Sequence, residues 1–263
     1  MTRAVVPIAL LLASASAAAG PFTGTWVADL DSQAGLGKDV YLVTAGNYSC
    51  ESCTPKRHYP ADGKLHRIVG DPDVNFESVT VTGPRTIVTR LLEKAMTRVT
   101  TMTVAPDNRT ATYVSIDHRP GIRQPLKTVY LARRVAAAPP GAHLVSGTWQ
   151  GVAYQSVPEL IRTTELRDES GTFTYRVPIG ATYTARVGDG FAPLHGVGTE
   201  GQTAAVKKVD ERTMVETRRR DGKVIMVRTF TLSPNGKTLT IASDYPETNS
   251  SFRITAHRNS RAF

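Results

Sequence analysis

The chain has 263 residues, with 32 basic against 23 acidic side chains, a formal charge of +9, 40% apolar residues and 21% charged ones. That balance is ordinary for a folded protein and excludes wholesale disorder, and the length allows one large domain or two small ones. No internal run reaches the roughly 18 apolar residues of a membrane-spanning helix.

Residues 1–19 read as a secretory signal peptide. Arg3 supplies the positive start, Ala4 to Leu12 the apolar run, and Ala17-Ala18-Ala19 the small-residue cleavage site, leaving Gly20 as the new N-terminus. The expected location is therefore secreted or periplasmic. Export bears on Cys50 and Cys53, the only two cysteines, since an oxidising compartment would join them into a disulfide clip. A redox centre is the alternative, but Pro55 opposes the helix that would depress a thiol pKa. Half a zinc site is another, with only His58 and His66 nearby at unsuitable spacing.

The chain repeats itself once. Gly24-Thr25-Trp26 recurs as Gly147-Thr148-Trp149, Arg85 to Val88 as Arg212 to Val215, Thr103 to Thr110 as Thr231 to Thr238, and Ala132-Arg133-Arg134 as Ala256-His257-Arg258. The four matches keep their order at nearly constant offset, and the small offset changes fall in turns, where insertions cost least. The predicted organisation is a first repeat over 20–135, a linker over 136–146 rich in Ala and Pro, and a second repeat over 147–263.

Both copies read as β throughout. Asp62-Gly63, Ser170-Gly171, Asp221-Gly222 and Asn235-Gly236 mark turns between short runs rich in Thr, Val and Tyr. Alternation places Val224, Met226, Arg228, Phe230 and Leu232 on one inward face. Phe173, Tyr175 and Val177 form a second such face, and Ala181, Tyr183, Ala185 and Val187 a third. In the first copy the matching face carries Met96, Arg98, Thr100, Met102 and Val104. The predicted fold class is all-β: two tandem antiparallel meander β-barrels, closed because closure removes exposed edges.

A Gly-x-Trp at the first strand followed by a meander resembles the lipocalin and fatty-acid-binding barrels, and the element occurs twice here. The resemblance implies that Trp26 and Trp149 close the barrel floors, with Arg134 and Arg258, at the ends of the two copies, lying across them. The whole chain is also similar to a group of two-repeat exported bacterial proteins that carry Cys-x-Ser-Cys-x-Pro early in the first repeat, here Cys50-Glu51-Ser52-Cys53-Thr54-Pro55. That group brings no activity with it.

The leading functional expectation is binding of a small, partly apolar molecule. An inward Arg228 wants an anion, which a ligand carboxylate or an internal Glu would supply. Tyr175 and Tyr183 would add hydroxyl contacts, Phe173 and Phe230 apolar wall, and Arg98 a cation in the first copy. The alternative is a non-catalytic envelope interaction or structural protein with an acidic or polymeric partner, for which Arg218-Arg219-Arg220, read at a hairpin tip, is the densest basic patch. Neither cofactor nor metal is expected. Nucleic acid is disfavoured because no aromatic ladder interleaves the basic residues. No hydrolase, metalloprotease or phosphate-loop motif indicates an enzyme. Gly196 to Gly201 spells G-x-G-x-x-G but precedes a β-like run, and so reads as a turn.

Overall fold

The computed structural model describes residues 19–93, 96–196 and 198–259. Residues 1–18 of the segment 1–19, expected to be a signal peptide, lie outside them. The first half of the chain forms β1 (Gly24–Ala34), β2 (Lys38–Thr44), β3 (Asn47–Cys50), β4 (Arg57–Pro60), β5 (His66–Arg67), β6 (Val74–Gly83), β7 (Thr86–Glu93), β8 (Met96–Val104), β9 (Thr110–His118) and β10 (Leu126–Ala136). The second half forms β11 (Gly147–Ser156), the single-turn helix α1 (Glu159–Arg162), β12 (Thr163–Glu169), β13 (Thr172–Arg176), β14 (Thr182–Arg186) and β15 (Ala192–Pro193). It ends with β16 (Gln202–Asp210), β17 (Thr213–Arg220), β18 (Lys223–Leu232), β19 (Thr238–Tyr245), a short 3-10 turn (Pro246–Thr248) and β20 (Ser250–Asn259). Among the described residues every pairing between named strands is antiparallel, and three of the four marked turns, Ser170-Gly171, Asp221-Gly222 and Asn235-Gly236, close hairpins, whereas Asp62-Gly63 links β4 and β5, which lie at opposite edges of their sheet. At Asp221-Gly222, for example, both residues take positive φ, 50° and 82°, as a tight two-residue hairpin requires. β16 follows Gly201 directly, so the glycine-rich run precedes a strand and not a helix.

The strands make two ten-stranded sheets, each a nearly closed barrel. One runs β4-β3-β2-β11-β10-β9-β8-β7-β6-β5, the other β14-β13-β12-β1-β20-β19-β18-β17-β16-β15. An isolated bridge from Asp62 to Thr80 brings the first sheet round toward closure, and one from Val187 to Val206 does so for the second.

The boundary between repeats is not the boundary between sheets. β1, from the first repeat, sits between β12 and β20 of the second. β11, from the second repeat, sits between β2 and β10 of the first. The repeats have exchanged their Gly-x-Trp strands, so the division at 136–146 separates the sequence copies and not the barrels. We call the sheet containing β11 the first barrel and the sheet containing β1 the second.

The exchange also crosses the Trp–Arg pairs. The Arg258 guanidinium stands 4.3 Å over the Trp26 ring, and that of Arg134 stands 4.1 Å over Trp149. Each tryptophan is fully buried and donates Nε1–H to the carbonyl four residues earlier, Phe22 for Trp26 and Val145 for Trp149. Each arginine also binds the carbonyls that flank the incoming strand: Pro21 and Thr23 for Arg258, Leu144 and Ser146 for Arg134. A Cβ on Gly24 would stand 2.6 Å from Arg258 Nη1, and one on Gly147 2.7 Å from Arg134 Nη1. The glycine of the motif is therefore the gap through which the arginine reaches its carbonyls.

Candidate functional site

Inward alternation fills the Trp end of each barrel with apolar side chains. Phe173, Phe230, Met214, Leu239 and Trp26 pack the second barrel, and Val79, Ile87, Met102, Val104 and Trp149 the first. The faces expected on β18, β13 and β14 all point inward, with Met226, Phe230, Leu232, Phe173, Tyr175, Tyr183 and Ala185 buried.

Above this packing the second barrel contains an ionic cluster. Glu216 is fully buried and pairs with two guanidiniums, Arg218 Nε at Oε1 and Arg228 Nη1 at Oε2, the latter at 3.4 Å. Arg228 Nε donates to Ser243 Oγ at 3.1 Å. Both guanidiniums stand over Tyr175, at 5.0 and 5.3 Å, and Arg218 also over Tyr183 at 5.9 Å. Burial, then the Glu216 charge, pushes the Tyr183 hydroxyl well above the ordinary tyrosine value. The anion that Arg228 needs is thus internal.

The basic run Arg218-Arg219-Arg220 is not an exposed tip. β17 extends to Arg220, which leaves only Asp221 and Gly222 in the turn. Period two then sends Arg218 inward. Arg219 lies over Phe191 at 4.0 Å, and Arg220 reaches across to Asp73 of the first repeat at 3.3 Å.

A cavity of about 510 Å³ lies where the two barrels meet, lined from both. The second barrel contributes Ala28, Leu30, Ile241, Phe252 and Ile254 with Tyr175 and Arg228. The first contributes a polar wall: Asp39, Tyr41, Arg98, Tyr113, Ser115, Asp117, Tyr130 and Tyr154. Val157, Ile161 and Arg162, around α1, cross between them. Arg98 is held by Asp117 through two hydrogen bonds, 2.7 and 3.1 Å, and by Glu93 at 3.8 Å. Arg119 adds a contact to Asp117 at 3.4 Å and ties the barrels together through the Ile179 carbonyl, 3.0 Å away. Burial alone would raise the Asp117 pKa, but the Arg98 hydrogen bond and charge, reinforced by Arg119, hold it below the ordinary carboxylate value.

Of the residues the sequence nominated, Arg228, Tyr175 and Arg98 reach this cavity. Phe173, Phe230 and Tyr183 belong instead to the packed interior beneath it and are at most 1% exposed. Sequence reasoning missed Asp39, Tyr41, Tyr113, Tyr130, Tyr154 and Arg162. Alternation on β2, β9, β10 and β11 was the available signal for the tyrosines, but only the pairing of strands far apart in sequence brings them together. Arg162 finds carbonyls alone among the described residues, those of Ala28 at 2.8 Å and Val157 at 3.2 Å.

The sulfurs of Cys50 and Cys53 stand at bonding distance, 2.02 Å, as the clip requires. No group of three or more metal-ligating side chains occurs among the described residues, and no helix there is long and apolar enough to cross a membrane. The sequence matches no family model and no curated protein.

Proposed function

We propose that the protein is a carrier that holds one small, partly apolar molecule between its two barrels. The observation that supports this reading is the junction cavity. Its volume falls in the range of ligand sites, about 300 to 1,000 Å³, and its lining combines an apolar wall with a few convergent polar groups. Glu216 is the charge partner of Arg228, and Arg162 is a lining guanidinium whose described partners are carbonyls only, so it is free to contact a polar group of the ligand. Lipocalin-like carriers hold ligands inside one barrel, whereas here the apolar and polar walls come from different barrels. The inward turn of Arg218 and the engagement of Arg219 and Arg220 favour this reading over docking of an acidic polymer on a basic tip. Export, read from residues 1–19, is in keeping with the Cys50–Cys53 bond.

Native mass spectrometry of the protein produced by export tests the proposal. An adduct that leaves as a small molecule on denaturation supports a carrier, and Leu30→Trp, which intrudes on the apolar wall of the cavity, should reduce it. A bare mass, together with no uptake from a lipid and metabolite extract, overturns it.

A further inference from the structure

The two barrels handle the same chemistry differently. In the second, a buried carboxylate and two tyrosine rings are satisfied by the protein's own guanidiniums, Arg218 and Arg228 on Glu216, Tyr175 and Tyr183. Strand register shows what stands at those places in the first barrel. Glu216 faces Arg228 two residues along β17 from the Met214–Phe230 pair, and Thr89 faces Thr100 two residues along β7 from the Ile87–Met102 pair. Arg228 bonds Ser243 on the next strand, as Thr100 bonds Ser115 at 2.8 Å. Arg218 corresponds in the same way to Leu91. Small and apolar side chains therefore replace the ionic cluster in the first barrel.

The first barrel nonetheless keeps a carboxylate and aromatic rings. Asp39, Tyr41, Tyr113, Tyr130 and Tyr154 all line the cavity. Tyr130 lies 5.5 Å from Tyr113 and 4.9 Å from Tyr154, ring centre to ring centre. Asp39 stands two residues from Tyr41 on β2, and among the described residues no cation lies within ion-pair distance of it. No Arg or Lys lies over any of these four rings among the described residues, in contrast to Tyr175 and Tyr183. The lining guanidiniums of this wall are committed elsewhere, Arg98 to Asp117 and Glu93 and Arg119 to Asp117, while Arg57 is taken by Glu77 and Asp71 away from the cavity. A partly buried carboxylate sharing a cavity wall with four tyrosines lacks a positive partner, and aromatic rings attract organic ammonium groups through the negative potential of their faces.

We propose that Asp39, with Tyr41, Tyr113, Tyr130 and Tyr154, is a seat for an organic cation, so that the carried molecule bears an amine or quaternary ammonium group on an apolar body. This rests on the carrier reading and names the charge at the polar end of the same cavity. The apolar body lies toward Leu30, Ile241 and Phe252.

Isothermal titration with three probes that share one chain, octyltrimethylammonium, octyl sulfate and octanol, tests it below their aggregation thresholds. Octyltrimethylammonium should bind at least about tenfold more tightly than octanol. Asp39→Asn should remove that preference, weakening the ammonium probe by at least about tenfold more than octanol. Tyr154→Leu should weaken the ammonium probe more than the alcohol, and near-ultraviolet circular dichroism checks that both variants are folded. If octanol binds but the ammonium probe gains nothing, or if Asp39→Asn leaves the gain intact, the cation seat is overturned and the carrier stands. If the sulfate is preferred, the charge assignment is overturned. If none of the three binds, the carrier reading fails and the seat with it.

Discussion

Trp26→Ala should unfold the barrel made by the other repeat. Trp26 is fully buried and lies on β1, between β12 and β20. Its ring removes about 200 Å² from water, which at about 25 cal/mol per Å² is about 5 kcal/mol. Loss of the Nε1–H bond to Phe22 costs about 1 kcal/mol more, and loss of the Arg258 stack about 0.5 to 2 kcal/mol. Partial collapse of the hole returns some of this, for a net cost of about 4 to 6 kcal/mol. That is a large share of the stability of an ordinary domain, about 5 to 15 kcal/mol. Hydrogen exchange resolves where the loss falls. Amides of β16 to β19 in the second repeat should lose protection, while those of β6 to β9 in the first keep theirs. Trp149→Ala should do the reverse. Loss confined to β6–β9 in Trp26→Ala, or equal loss in both sheets, refutes the exchanged arrangement.

Glu216→Gln leaves two buried guanidiniums without their anion and should cost about 3 to 5 kcal/mol in urea unfolding; replacing the whole cluster together, Arg218→Leu, Glu216→Thr and Arg228→Thr after the first barrel's residues, should cost much less. Asp117 should make stability depend on acid. Its folded pKa is depressed, so its contribution is complete above the unfolded value of about 3.9 and is lost as pH falls through the folded value; unfolding curves between pH 2 and 6 should show this slope, and Asp117→Asn should flatten it. Asp39 has the opposite sign. Burial raises its pKa, with the neighbouring Tyr41 hydroxyl acting the other way, so its ionisation opposes folding as pH rises. Asp39→Asn should therefore raise the melting temperature of the ligand-free protein at pH 7, with the difference vanishing below about pH 4.

Much of the fold is legible in the chain because β structure announces itself locally. Asp221-Gly222 and Asn235-Gly236 mark hairpins, and alternation through Met226, Phe230 and Leu232 gives the inward face without any tertiary information. The strand exchange is not legible, because β1 and β11 carry the same Gly-Thr-Trp pattern and either would satisfy either barrel. Which pairs with which is a choice between contacts distant in sequence. The inward path of Arg218 was readable in principle, since Met214, Glu216 and Arg218 alternate, but it was obscured by reading three consecutive arginines as one patch. Asp39 gave no such signal. Its position follows from the pairing of Trp149 with Asp39 across β11 and β2, a pairing that exists only once the strands have been exchanged.

The pairing of β1 with β20 ties the first strand of the fold to the last. On a chain made from its N-terminus, β1 must wait unpartnered on that side until residue 259 has been added, and the first barrel cannot complete its wall until β11 has emerged. The long-range pairings make assembly slow and keep both partly built sheets open to wrong partners in the interval. They also make completeness a condition of folding. A chain ended early in β20 loses a central strand of the second barrel and the Arg258 that covers Trp26, so truncated copies are marked for degradation by their own instability. A cut in the linker at 137–143, by contrast, leaves two pieces that each hold a strand of the other's barrel, and the nicked molecule should migrate as one.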